Sequence, residues 1–324
     1  MENKILTVSI AAYNLSERIE QCLSSFASAK CFEDVELIIT NDGSKDDTAE
    51  KVQKWVERYP NSIRLINKKN EGAGSTVNSG ISHATGKYFK MVDGDDWVEN
   101  LDEFVDFLKN CDSDRVVSDY TFYDNSRKSK DRTESFALPK GSFRFDDEWN
   151  KIPNERHALC FKTEIRKNIR LDNGFYTDVE YLLFPLRKVT TVSYFAKPVY
   201  IYRVGQRNQS VSPQSRRKHV SDHEKVLFHV MSWLNECKGN RSEQHLSFAL
   251  KRTVSLVDNQ RVIYLLFKPN KEWKSKIKSL VRQISANENL LVLYKQNKKY
   301  KALTRSDYLA YPLLSFLVRK KEGR

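Results

Sequence analysis

Tyr88-Phe89-Lys90-Met91-Val92-Asp93-Gly94-Asp95-Asp96-Trp97 is the stretch on which the reading of this chain turns. Residues 88–92 form a short, mostly apolar run that reads as a buried strand. It leads straight into three carboxylates within four residues. Asp93 and Asp95 are two apart, so on an extended backbone they point the same way, and Gly94 lets the chain bend between them. Carboxylates this close repel one another unless a cation sits among them. A hard divalent ion, Mg²⁺ or Mn²⁺, takes oxygen ligands and keeps positions open for phosphate oxygens. The plainer alternative is an acidic turn capping a helix that begins near Asn100. A cluster just past a strand end is also where an α/β sheet holds its ligand.

Outward from this stretch the chain alternates short β-branched runs with amphipathic ones. Strands are predicted at Thr7–Ala11, Glu36–Thr40, Ile63–Ile66, Tyr88–Val92 and Arg115–Tyr120, with helices near 17–29, 47–58, 75–84 and 100–110. That alternation predicts an α/β fold, a mostly parallel central sheet flanked by helices. Residues 124–135, charged and Ser-containing, read as a mobile loop. Residues 143–205 are mixed, with strands expected at Val189–Phe195 and Val199–Arg203. From about 215 the pattern is helical and basic.

Four clusters fall at predicted strand ends or helix starts: Ala12-Tyr13-Asn14, Asn41-Asp42-Gly43-Ser44, Asn70-Glu71-Gly72-Ala73-Gly74-Ser75 with Asn78-Ser79-Gly80, and the acidic run. All would line one edge of a parallel sheet. Together with Val8-Ser9-Ile10 and Glu36-Leu37-Ile38-Ile39, they resemble the inverting glycosyltransferases of family 2, over roughly residues 4–205. Several pieces in the right order specify more than any one of them.

The resemblance implies a Rossmann-like, nucleotide-binding glycosyltransferase-A fold and a site. Its nucleotide-sugar contacts would be Ala12, Tyr13, Asn14, Asp42, Asn70, Gly72, Asn78, Asp93 and Asp95. Tyr13 would stack on uracil and Asp42 would accept the imide N–H. Asp95 and Asp96 would bind the ribose and the diphosphate's metal, Mn²⁺ or Mg²⁺, with Asp93 in support. The base that takes the acceptor's proton would be Asp178, in Phe175-Tyr176-Thr177-Asp178-Val179-Glu180, where Thr177 replaces the family's usual Glu. Asp178 also suits a helix N-cap, and Glu180, two away, cannot share its helix face; a Glu180 contact with the acceptor is the weaker expectation. Residues 202–212 resemble a loop that closes over the donor. Arg203 or Arg207 there could pair with the diphosphate, and Gln209 stands where relatives carry a metal-side histidine. Trp97 is expected to pack the helix start.

Composition sets bounds. Five scattered cysteines without a C-x-x-C pair argue against a disulfide framework or a zinc site. The start of the chain reads as a strand, too short and polar for a signal peptide, and no run reaches the ~18 apolar residues of a membrane span. A cytoplasmic location is expected, with possible peripheral contact at the inner face of the cell membrane. Residues 201–324 hold 26 Lys+Arg against 9 Asp+Glu, more than the whole net charge of +13. This predicts a catalytic domain over 1–212 and a basic helical domain over 213–324 that meets an anionic membrane, the acceptor or a second subunit. Tyr308–Val318, apolar and followed by Arg319-Lys320-Lys321, suits a membrane interface or docks on the helices. His219 and His223, four apart among Arg216, Arg217, Lys218 and Lys225, read as helix-surface residues rather than metal ligands. The expected function is metal-dependent inverting transfer from a UDP-sugar to a saccharide, lipid-linked or protein-linked glycan. The alternative is a nucleotide-sugar-binding or scaffold subunit that has lost the chemistry. No nucleic-acid module is recognisable.

Overall fold

The computed structural model of the chain describes residues 4–205, 212–237, 242–296 and 310–322. Two compact units divide it, Met1–Gln206 and Arg207–Arg324. The first is built on ten strands: β1 (Leu6–Ala12), β2 (Val35–Asn41), β3 (Ile63–Asn67), β4 (Tyr88–Asp93), β5 (Trp97–Val98), β6 (Arg115–Asp124), β7 (Ser129–Glu134), β8 (Gly141–Arg144), β9 (Leu159–Lys162) and β10 (Thr191–Val204). Their order is β3-β2-β1-β4-β9-β6-β10-β5, with β7 on β6 and β8 on β10.

β1 lies between β2 and β4, parallel to both, and β3 extends the parallel set beyond β2. All seven residues of β2 are buried, as expected of a strand covered on both faces. The covering helices are α1 (Ile19–Ala27), α2 (Thr48–Arg58), α3 (Ala73–His83) and α4 (Leu101–Lys109). α1 buries Ile19, Cys22, Leu23 and Phe26, the spacing of one helical face. α3 lies directly on β1: a Cβ on Gly80 would stand 2.1 Å from Ser9 Oγ.

Past β4 the sheet departs from the sequence reading. β9, four residues long, enters antiparallel between β4 and β6; a run that short carries no periodicity. The second half of the loop expected at 124–135 is instead β7, antiparallel to β6. Its side chains are almost all exposed, so backbone pairing alone forms it and no apolar alternation marks it. The two strands expected between 189 and 203 are one, β10, whose register against β6 shifts around Pro198. A proline has no N–H to give a ladder.

The second unit is helical: Pro213–Lys218, Val220–Glu236, Glu243–Leu265, Lys271–Ser285, Glu288–Lys295 and Tyr311–Glu322. Helix Glu243–Leu265 is central, packed by Val220–Glu236, Glu288–Lys295 and Tyr311–Glu322. The side chains of Ser242, Asn270 and Asn287 cap three of these helices. His223 corrects the surface reading: it is buried and hydrogen-bonds through Nδ1 to Gln260 Oε1. It sits on the face turned to helix Glu243–Leu265, and burial draws its pKa down to about 4. Among the described residues no helix is long and apolar enough to cross a membrane. Leu313, Phe316 and Leu317 are each more than half exposed, on one face of helix Tyr311–Glu322.

Candidate active site

The loops after β1 and β2 are stitched together. Asn14 sits at φ 52°, a left-handed conformation that asparagine tolerates. Its N–H donates to Ser44 Oγ (2.9 Å), and its Oδ1 accepts from the Lys45 N–H (2.8 Å). Ala12 is buried and contributes its carbonyl to the Asp42 N–H. Tyr13 stands nearly half exposed beside them. Asp42 is buried, its carboxylate accepting from the N–H groups of Glu71 (3.0 Å) and Gly72 (2.9 Å) and from Lys68 Nζ (2.9 Å). Asp42 thus sets the 68–72 loop, in which Asn70 is exposed.

That loop leads into α3, whose first N–H groups are already used. Gly74 and Ser75 donate to the carbonyls of Gly174 and Asn173, both at 3.0 Å. The fit needs two glycines. Gly72 has φ 98°, and a Cβ on Gly74 would lie 1.8 Å from the Asp172 carbonyl oxygen. Asn78 spends both ends of its amide on the Leu171 backbone, at 2.8 and 2.9 Å. Its place is to pin the 171–174 segment to α3.

The acidic run turns directly at the end of β4, with Asp96 N–H on the Asp93 carbonyl (3.0 Å). Asp93 and Asp95 are partly exposed, at 33% and 29% of their side chains. Asp96 is 2% exposed and points inward, accepting from Tyr200 Oη (2.6 Å) and the Arg203 N–H (2.8 Å). Burial first, then the charges of Asp93 and Asp95, push its carboxyl well above the ordinary range. Arg203 does not reach outward. It donates to the Asp95 carbonyl (2.9 Å), Gln21 and Asn125, with its guanidinium over the rings of Trp97 and Tyr123. Trp97 accordingly packs on Arg203 as well as at the helix start. Arg207 and Gln209 lie outside the described residues.

Asp178 opens the helix Asp178–Leu183 with 55% of its side chain exposed, whereas Glu180 is fully buried. Burial raises the Glu180 carboxyl to about 9, and it accepts from the Asp172 N–H (2.7 Å). This corrects the weaker expectation of a Glu180 contact with an acceptor. Between Asp178 and the acidic run stands Arg156, absent from the sequence reading. Its Nε lies 2.8 Å from Asp178 Oδ1 in an ion pair, its Nη2 donates to Asp93 Oδ2, and its Nη1 is buried without a hydrogen-bond partner. Burial alone would lower the pKa of Arg156, but Asp93 and Asp178 more than reverse this and keep it charged. Lys90, the polar residue inside the apolar run, is buried and donates to the carbonyls of His157 (2.6 Å) and Leu159 (3.3 Å). It thereby fastens the entry to β9.

The donor set fits a divalent cation. Asp93, Asp96 and His157 offer ligand atoms within 4.8 Å of one another, and Asp95 adds a partly exposed carboxylate. His157 Nε2 is buried with no partner. Burial first, then Arg156 and Lys90, hold its imidazole well below the usual pKa, in the neutral form a ligand requires.

An α/β sheet whose strand ends present Tyr13, Asp42 and an acidic turn defines the glycosyltransferase-A fold. The family model described as glycosyl transferase family 2 matches residues 7–173, just over half of the chain, and the chain belongs to that family. Among curated proteins it is 28% identical over 226 residues to the putative glycosyltransferase EpsH of Bacillus subtilis (strain 168), covering 63% of this chain. The chain spans 62% of the length of EpsH, under two thirds. Among solved structures, S. aureus TarS 1–349 aligns over 99% of this chain and 92% of its own, with a TM-score of 0.67 at 15% identity. The same TarS fragment has been solved with UDP-GlcNAc. A mannosyltransferase of Pyrobaculum calidifontis, solved with GDP-Man and Mn²⁺, aligns over 100% of this chain and 89% of its own (TM-score 0.52, 13% identity).

Proposed function

We propose that the protein is a metal-dependent inverting glycosyltransferase. It takes a hexosyl or N-acetylhexosaminyl group from a UDP-sugar to a saccharide, lipid-linked or protein-linked glycan. One observation carries the reading: a largely exposed carboxylate, Asp178, is joined through Arg156 to the acidic turn at the same edge as Tyr13 and Asp42. Tyr13 gives the uracil a ring to stack on, and the Asp42 loop gives its imide an acceptor. The UDP-GlcNAc complex of the similarly folded TarS favours uridine over other bases. Residues 1–212 carry the chemistry and 213–324 serve as an accessory region.

In the transfer, Asp178 accepts the proton of the acceptor hydroxyl as that oxygen attacks the anomeric carbon. The new C–O bond forms as the bond from that carbon to the diphosphate oxygen breaks on the opposite face, so the configuration inverts. The bonding pair leaves with UDP. A divalent ion held by Asp93, Asp96 and His157, with the Asp95 carboxylate in support, would offset the charge appearing on the diphosphate. Asp96 and Arg203 hold the acidic turn in shape. The exposed face of Leu313, Phe316 and Leu317, followed by Arg319, Lys320 and Lys321, suits an anionic bilayer and would bring the enzyme to lipid-linked acceptors.

The test is UDP release from a panel of UDP-sugars with and without Mn²⁺, for the wild type, Asp95→Asn and Asp178→Asn. Metal-dependent turnover of one donor, lost in both variants, is expected. Tight UDP binding with no turnover on any donor or acceptor would instead favour a binding subunit, the reading that Thr177 in place of the usual acid supports.

A further inference from the structure

We propose that Arg156 is a positioning residue that sets the base, Asp178, against the acidic turn; the inference rests on the transferase reading above. Asp93 ends β4 and Asp178 begins a helix 85 residues later, so nothing in the local chain brings the two carboxylates together. Left alone they would repel. One planar guanidinium meets both, through adjacent nitrogens: Nη2 on Asp93 Oδ2 and Nε on Asp178 Oδ1 at 2.8 Å. Two nitrogens on one rigid plane hold the two carboxylates at a set spacing, which a lysine's single ammonium cannot do.

The pairing is one-sided at Asp178 in a way that matters for a base. Oδ1 is tied to Arg156, while Oδ2 has no protein partner among the described residues, and the side chain is 55% exposed. Oδ2 is therefore the oxygen left to take a proton, and Arg156 determines where it points. Arg156 itself is held firmly, with only 14% of its side chain exposed. It sits in the short 3₁₀ turn Arg156–Ala158 that enters β9, and Lys90 ties that turn to β4 through the His157 carbonyl at 2.6 Å. The base is thus referenced to the sheet rather than to its own short helix. A base displaced by about 1 Å costs on the order of 100-fold in rate.

The experiment measures transfer kinetics, UDP affinity and thermal midpoint for the wild type, Arg156→Gln, Arg156→Lys, Asp178→Asn and the Arg156→Gln/Asp178→Asn double variant. Arg156→Gln is expected to lower kcat about 100-fold while UDP affinity stays within about threefold. Arg156→Lys should fall between the two, since it can reach only one carboxylate. In the Asp178→Asn background, Arg156→Gln should cost less than about tenfold, because a residue that acts mainly through Asp178 then has only its pairing with Asp93 left to lose. An additional loss of about tenfold or more there, or a kcat in Arg156→Gln within about threefold of wild type, would overturn the proposal. Failure of the transferase reading looks different: the wild type itself would turn over no donor.

Discussion

Asp178 and Glu180 stand two positions apart and meet opposite environments, the one 55% exposed and the other fully buried. For Glu180 this has a consequence in pH. In the fold its pKa is raised from the ordinary 4.5 to about 9, so between those values the folded state holds a proton that the unfolded state has released. Its contribution to stability therefore falls as pH rises through that window. Glu180→Gln keeps an oxygen for the Asp172 N–H, and should add about 1 kcal/mol or more at pH 8, roughly one pKa unit's worth, while flattening the slope of stability between pH 5 and 9. Denaturant titrations at three pH values would check it; an unchanged slope would show that Glu180 is ionised in the fold. Arg203 makes a second residue-scale case. Arg203→Ala strips donors from the Asp95 carbonyl, Gln21 and Asn125 and removes the guanidinium from the rings of Trp97 and Tyr123. A loss of about 2–3 kcal/mol is expected, together with weaker Mn²⁺ binding by titration calorimetry, since the acidic turn loses its brace. The residues best read from sequence, Asp42, Asp93 and Asp95, sit beside turn glycines directly after apolar runs. Arg156 could not be read that way, because its two partners meet it only after β9 is in place.

Elements follow the same division. The parallel set β3-β2-β1-β4 was legible because each strand is apolar, bounded by polar loops and followed by an amphipathic helix. β7 and β9 were not, since one is polar throughout and the other spans four residues. The contact of α3 with residues 171–174 was equally hidden, although its glycines were visible. Gly74→Ala puts a methyl 1.8 Å from a backbone oxygen, so the 171–174 segment must shift. Stability should fall by about 1–3 kcal/mol, and because that segment leads into Asp178, kcat should fall with it. A stable, fully active Gly74→Ala would show that this segment does not govern Asp178.

At the scale of the molecule, charge is unevenly divided: the last 124 residues carry 26 Lys+Arg against 9 Asp+Glu. A bilayer held partly by charge releases its protein as salt screens it, over a Debye length near 8 Å at physiological ionic strength. The wild type should therefore float with anionic vesicles at low salt and less at high salt. Phe316→Ala/Leu317→Ala should lower partition about tenfold or more, the worth of two buried apolar side chains. Equal flotation of wild type and double variant would remove helix Tyr311–Glu322 from the membrane surface. The mirror experiment, neutral vesicles, separates apolar insertion from charge.

β9 between β4 and β6 has one more consequence, for the order in which the chain acquires structure. On a ribosome, β1 to β4 emerge early and can pair among themselves, but β4 then ends in a bare edge of unpaired N–H and C=O groups. Sixty-five residues separate the end of β4 from the start of β9, and the brace on Asp95 arrives only with Arg203, 108 residues downstream. Contacts so distant in sequence are slow to close. The β1–β4 side of the sheet can therefore take shape well before β9 and β10 exist, and during that interval the open edge of β4 is where nascent chains would find one another.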